Sequence, residues 1–148
     1  MLALLQRVSR AEVRVDGQAV GAIGGGYVAL IAVERGDSAR DVEYIARKIR
    51  DLRLWPDAEG RMNRPLAAAG GAVLAISQFT LLGDTRRGLR PSFDAATPPE
   101  EARPLYQAVV DQLRADGVEV ATGVFQAEMQ VELINEGPVT VILNSRGN

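Results

Sequence analysis

Only two stretches of this chain carry apolar residues at helical spacing. Val42, Ile45, Ala46, Ile49 and Leu52 form one stripe, and Leu105, Tyr106, Val109, Val110 and Leu113 form the other. Both have start and stop signals. Asp37 or Ser38 can cap the first, with Ser38-x-x-Asp41 in the pattern of a capping box, and Trp55-Pro56 closes it before a turn at Asp57-Ala-Glu-Gly60. Thr97-Pro-Pro-Glu100 opens the second with a cap, prolines in the first turn and acids at the positive dipole end, and Asp116-Gly117 ends it. The remaining apolar stretches read as strands: Leu2 to Val8, Ala11 to Val15, Ala19 to Ile23, Tyr27 to Val33, Ala72 to Phe79, Val118 to Thr122, Met129 to Ile134 and Val139 to Leu143. Asp16-Gly17 gives a hairpin turn, and Tyr27 to Val33 has the continuous apolar character of a buried strand. The pattern predicts an α+β fold, largely antiparallel, with two principal helices in one domain spanning 1–148.

Composition narrows the chemistry. The 148 residues are 47% hydrophobic, enough for a real core. No apolar run approaches the roughly 18 residues of a membrane span. The segment from Met1 to Arg7 places its charge after its apolar residues, the reverse of a signal peptide, so a cytoplasmic protein without a membrane partner is expected. The chain has neither Cys nor His. That removes disulfides, thiol nucleophiles, Ser-His-Asp triads and the usual zinc sites, and no Asp/Glu group has clear ligand spacing, so neither metal nor cofactor is expected. An enzyme built from these residues must use hydroxyls, carboxylates, backbone dipoles or groups on its substrate. The net charge of −2 gives no general nucleic-acid footprint and no expectation of a DNA partner. Locally, Asp84-Thr-Arg-Arg-Gly-Leu-Arg90 sets three Arg against one Asp, enough for a local phosphate contact.

Two segments look unlike scaffold. Ser77-Gln-Phe-Thr-Leu81 puts hydroxyl and amide side chains at a strand end, followed by a long loop from Leu82 to about Ala96 that contains Gly88-Leu-Arg-Pro-Ser-Phe93. Exposed backbone N–H groups there could hold a developing oxyanion, although a polar strand end capping a loop explains the same residues. Asn135-Glu-Gly-Pro-Val-Thr140 reads, taken alone, as an ordinary turn.

Taken in order, Ser77-Gln-Phe-Thr-Leu81, Gly88-x-Arg-Pro-x-Phe93 and Asn135-x-Gly-Pro-Val-Thr140 closely resemble the signatures of the D-aminoacyl-tRNA deacylases. Gln6-Arg-Val-x-x-Ala-x-Val13 fits the same family, and the resemblance covers essentially the whole chain. There are departures. Around Phe125-Gln-Ala-Glu-Met129, family members more often have Gly where Gln126 stands and Asp where Glu128 stands, and the ending Ile142-Leu-Asn-Ser-Arg-Gly-Asn148 is unlike the usual one.

The resemblance implies antiparallel sheets forming a partly closed barrel-like core, and a homodimer with its active sites at the interface. Ser77, Gln78, Phe79 and Thr80 would form the catalytic strand end, with Gly88, Arg90, Pro91 and Phe93 in the loop near the substrate. Gly137-Pro138 of the partner, joined by a cis bond and held by Arg7, would meet the α-amino group of aminoacyl-tRNA and leave no space for an L side chain, and Met129 would contact substrate. D-aminoacyl esters, and glycyl esters, would be accepted. Two mechanisms remain open: attack by the Thr80 hydroxyl, for which no base is evident, or assistance by the ribose 2′-OH of the tRNA with N–H groups near Phe79 and Thr80 stabilising the oxyanion. The second is preferred.

Other features have ordinary readings. Gly24-Gly25-Gly26 lacks nucleotide-fingerprint spacing and reads as a loop. Arg47-Lys-Ile-Arg-Asp-Leu-Arg53 reads as a solvated helix face or a tRNA contact. A non-catalytic dimeric module that binds RNA or a small ligand in the same pocket is the competing reading.

Overall fold

The computed structural model describes residues 1–147; Asn148, the last residue of the atypical tail, lies outside the described residues. Ten regular elements follow one another: β1 (Leu2–Val15), β2 (Gln18–Ile23), β3 (Gly26–Ala32), α1 (Ala39–Asp51), β4 (Trp55–Pro56), β5 (Met62–Arg64), β6 (Ala72–Ser77), α2 (Pro99–Ala115), β7 (Val120–Thr122) and β8 (Gln130–Asn144). The α+β class and the two helices agree with the sequence reading. The sheet is mixed: β1 is antiparallel to β2, β3 and β8, while β3 pairs in parallel with β6, and β6 with β7. Parallel neighbours need a crossover, and α1 and α2 supply the two crossovers.

β1 organises the sheet. One edge pairs with β8 along nearly its whole length, and the other pairs first with β3 and then with β2. The sequence suggested a break near Ser9-Arg10 and a second one at Gly137-Pro138. Instead β1 and β8 each run through, and the irregularity appears as shifts of register around Val8 and Arg10. The Asp16-Gly17 turn has positive φ at both residues (50° and 77°), as a tight hairpin requires. β2 and β7 close most of the remaining gap without pairing. Gly21 of β2 lies so near the Thr122 carbonyl that a side chain there would overlap it. The result is a nearly closed barrel.

The two faces of the sheet make two cores. Inside the barrel, Val8, Val13, Val28, Leu74 and Ile76 pack together. On the other face, Leu5, Tyr27, Ile31, Val73 and Ala75 pack beneath Ile45 and Ile49 of α1 and Val109, Val110 and Leu113 of α2. β3 and β6 are therefore buried on both faces, which is why both read as unbroken apolar runs.

The helix starts differ from expectation in detail. The Asp41 carboxylate accepts from both the N–H (2.8 Å) and the hydroxyl (3.0 Å) of Ser38, the returning half of the expected capping box. Thr97 does not cap α2. The flanking residue is Pro98, no side chain closes this end, and the Thr97 hydroxyl is buried without a partner. Met1 presents a buried ammonium group, which donates to Asp37 Oδ1 (2.7 Å) and to Ser145 Oγ (2.8 Å). The Ser145 hydroxyl donates in turn to Asp41 Oδ1 (2.6 Å), tying both ends of the chain to the start of α1. No helix among the described residues is long and apolar enough to cross a membrane.

Candidate active site

β6 delivers Ser77 to the end of the parallel pair, where the ladder makes one further bond: the Gln78 N–H donates to the Ile31 carbonyl (2.8 Å). The chain then turns sharply into one turn of 3₁₀ helix over Phe79–Leu82. Such a turn leaves its first N–H groups without acceptors three residues back. Leu81 N–H reaches the Gln78 carbonyl and Gly83 N–H the Thr80 carbonyl, at 3.3 and 3.1 Å. The N–H groups of Phe79 and Thr80 have no hydrogen-bond acceptor among the described residues.

Ser77, Gln78 and Phe79 border a pocket of about 600 Å³, and Thr80 follows just outside its lining. Its walls include Ser77, Gln78, Phe79, Phe93 and Met129, all expected from the sequence. The loop returns through a two-residue bridge between Asp84 and Ser92, whose N–H and carbonyl groups exchange bonds of 2.8 and 2.9 Å. That bridge brings the Phe93 ring edge-on to Phe79, with centroids 5.1 Å apart. Gly88, Arg90 and Pro91 sit on the exposed excursion of the loop and do not line the pocket. Thr80 is exposed beside the pocket, and its hydroxyl accepts a close hydrogen bond from the Gln78 side-chain amide. No carboxylate or amine contacts Thr80 among the described residues, so nothing there can take its proton.

Several pocket residues had no role in the sequence reading. Phe125 forms one wall, stacked against Tyr106 (5.9 Å) and covered by the Arg103 guanidinium (4.5 Å). Burial pushes the Tyr106 hydroxyl up to about 12, and it donates to the Ala75 carbonyl at 3.0 Å. Gln126 adopts φ +64°, a left-handed conformation that glycine adopts more easily, and its side chain is held by Arg103 (3.2 Å). Glu128 is exposed and does not line the pocket.

Arg7, Gly137 and Pro138 do not line the pocket of their own chain. They form a separate feature along the β1–β8 pairing, with Gly137 and Pro138 exposed and Arg7 half-buried. The Gly137-Pro138 bond is cis, as expected. Arg7 Nε donates to the Glu136 carbonyl (3.2 Å) and Nη1 to the Leu54 carbonyl (2.5 Å). Asn135 Nδ2 donates to the carbonyls of Arg7 and Val139, both at 3.0 Å. Asn135 stood in the motif without an assigned role, and the structure shows it bracing the turn on both sides. Among the described residues no cluster of three His, Cys, Asp or Glu side chains could hold a metal ion.

Known proteins share both the sequence and this architecture. The D-Tyr-tRNA(Tyr) deacylase family profile matches residues 4–144. The chain is 57% identical to the D-aminoacyl-tRNA deacylase of Anaeromyxobacter dehalogenans, over 99% of this chain and 98% of that one. It is 56% identical to the D-aminoacyl-tRNA deacylase of Symbiobacterium thermophilum, over 97% and 95%. Among solved structures, a c-Myc DNA Unwinding Element Binding Protein superposes with a TM-score of 0.91 at 36% identity, over 97% of this chain and 98% of that one. A probable eukaryotic D-amino acid tRNA deacylase shares the fold at a TM-score of 0.81 and 17% identity, over 96% and 97%. With a family match over nearly all its length and relatives above half identity, the chain belongs to the D-Tyr-tRNA(Tyr) deacylase family of hydrolases.

Proposed function

We propose that this enzyme hydrolyses the ester between a D-amino acid and the 3′-terminal adenosine of tRNA, as a homodimer in which each pocket is completed by the partner's Gly137-Pro138 turn. The observation that carries the reading is the pair of N–H groups on Phe79 and Thr80, unpaired at the rim of a pocket that offers no side-chain base. Two adjacent donors of this kind suit the oxyanion of a tetrahedral acyl-transfer intermediate. An aminoacyl ester is already activated, so donors and positioning can suffice. The Gln78 amide donates to the Thr80 oxygen, which reduces its electron density and argues against Thr80 as nucleophile. The ribose 2′-OH next to the ester assists the attack of water. The carbonyl oxygen gathers charge against Phe79 and Thr80, and the ribose 3′-oxygen leaves with a proton.

Chirality is read by exclusion. The Glu136-Gly137-Pro138 main chain, held by Arg7 and Asn135, presents acceptors to the substrate's α-ammonium and closes the side where an L side chain would project. A D side chain points outward, and glycine, having none, also enters. Support for the dimer comes from apolar residues left open in a single subunit, with Phe79, Leu89, Val131 and Ile134 all exposed. Transfer RNA is the nucleic-acid partner; with a net charge of −2 we propose none for DNA. A cytoplasmic location suits that partner.

The deciding experiment compares D-Tyr-tRNA with L-Tyr-tRNA using purified protein treated with chelator. Hydrolysis of the D ester alone supports the proposal. Binding of tRNA without hydrolysis would instead support a non-catalytic RNA-binding module.

A further inference from the structure

We infer that the groove at the end of α1, lined by Arg47, Lys48 and Arg53, is a phosphate-binding track for the 3′ strand of the tRNA whose aminoacyl end occupies the partner subunit's pocket. This rests on the dimeric deacylase proposed above. The groove has a volume of about 630 Å³, and Asp51, Leu52 and Leu54 complete its lining.

Its cations are available. Arg50 on the same helix pairs with Asp51 (2.7 Å) and Asp116 (2.6 Å), so the one carboxylate in the groove lining, that of Asp51, is already occupied. Arg47, Lys48 and Arg53, by contrast, form no ion pair among the described residues. Arg47 and Lys48 both lie over the Tyr44 ring, at 5.9 and 5.5 Å, which directs them without cancelling their charge. Arg53 has only the Asn63 amide oxygen, at 3.3 Å.

The location gives these charges a use. Arg7 bonds the Leu54 carbonyl at the groove wall with one nitrogen and the Glu136 carbonyl of the Gly137-Pro138 turn with another. The groove and the turn are thus two ends of one guanidinium. If the turn enters the partner's pocket, the groove flanks the mouth of that pocket. A strand whose last nucleotide is inside must carry its preceding phosphates outward, and three unpaired cations beside the mouth meet them. The pocket itself offers little charge, with Arg35 its only ionisable lining residue.

The test uses the full-length protein with Arg47, Lys48 and Arg53 all changed to Gln, and a charge-keeping control with Arg47→Lys, Lys48→Arg and Arg53→Lys. Binding of uncharged tRNA is measured by fluorescence anisotropy across a salt series. Three lost single-strand phosphate contacts should reduce the slope of log K against log salt by about 2. KM for D-Tyr-tRNA should rise on the order of tenfold in the Gln variant with kcat unchanged, while the control keeps both slope and KM. D-tyrosyl-adenosine, which lacks upstream phosphates, should be hydrolysed at the wild-type kcat/KM. An unchanged salt slope and KM in the Gln variant would overturn the inference. So would an equal loss on D-tyrosyl-adenosine, which would mean damage to the pocket. If wild-type protein hydrolyses neither substrate, the deacylase reading fails, and the salt slopes still decide whether the groove holds RNA.

Discussion

Gly137 is the position where one methyl group tests most of the proposed mechanism. Its φ is +124°, a conformation that costs a residue with a Cβ about 1–3 kcal/mol. The added carbon of Gly137→Ala would also stand 2.8 Å from Val139 Cγ2, 3.0 Å from the Val139 nitrogen and 3.1 Å from Arg7 Nη2. Val139 is buried and cannot retreat. The available relief is to swing the turn away from Arg7, which sacrifices the Nε bond to the Glu136 carbonyl, worth roughly 1 kcal/mol at this exposed site. A local penalty of about 2 kcal/mol lowers the population of the held turn about 30-fold. We therefore expect kcat/KM for D-Tyr-tRNA to fall by at least that factor, while the melting temperature drops by only about 3–10 °C. The D-over-L preference should shrink, because the displaced turn no longer closes the L side. Steady-state hydrolysis of both esters and a thermal melt of the same sample provide the three readouts. A Gly137→Ala variant with wild-type activity on the D ester and an undiminished D-over-L ratio would refute the assignment of this turn to the substrate.

Arg7→Ala should lower the D-over-L ratio on the order of tenfold, since it removes the charge-assisted bond to the Glu136 carbonyl of the turn and the bond to Leu54 that anchors the guanidinium, checked with the same pair of esters. Thr80→Ala should retain measurable hydrolysis, whereas tRNA ending in 2′-deoxyadenosine should be cleaved far more slowly; abolished activity in the variant with normal cleavage of the deoxy substrate would reverse the mechanism. Burial acts to raise the Asp41 carboxyl, but bonds from Ser145 and Ser38 outweigh it and hold the group down at about 2. Its contribution, about 1–2 kcal/mol after discounting for solvent, is complete above roughly pH 4 and is lost as pH falls toward 2. Acid unfolding of Ser145→Ala should show a shallower loss of stability in that window. Chelation should leave kcat unchanged, measured before and after exhaustive dialysis against EDTA.

The sequence by itself determined the local elements. The apolar stripes of α1 and α2, the Asp16-Gly17 hairpin and the doubly buried runs that became β3 and β6 are properties of neighbouring residues, and short-range physics suffices to read them. The lack of His and Cys likewise ruled out whole classes of chemistry before any fold was known. Strand direction was not legible, because a strand buried on both faces shows the same unbroken apolar run whether its partner is parallel or antiparallel. Nor was the continuity of β1 through Ser9-Arg10, or of β8 through Gly137-Pro138, since long mutual pairing carries each strand past residues that look like a break. Thr97 looked like a cap, and only tertiary packing shows its hydroxyl buried without a partner at the pocket wall. The Gly137-Pro138 turn depends on contacts far apart in the chain. Arg7 meets Leu54 and Glu136 at separations of 47 and 129 residues, and Asn135 returns to Arg7 across 128. No local pattern encodes such a meeting, because it exists only once β1 and β8 have paired and laid the turn against the end of α1.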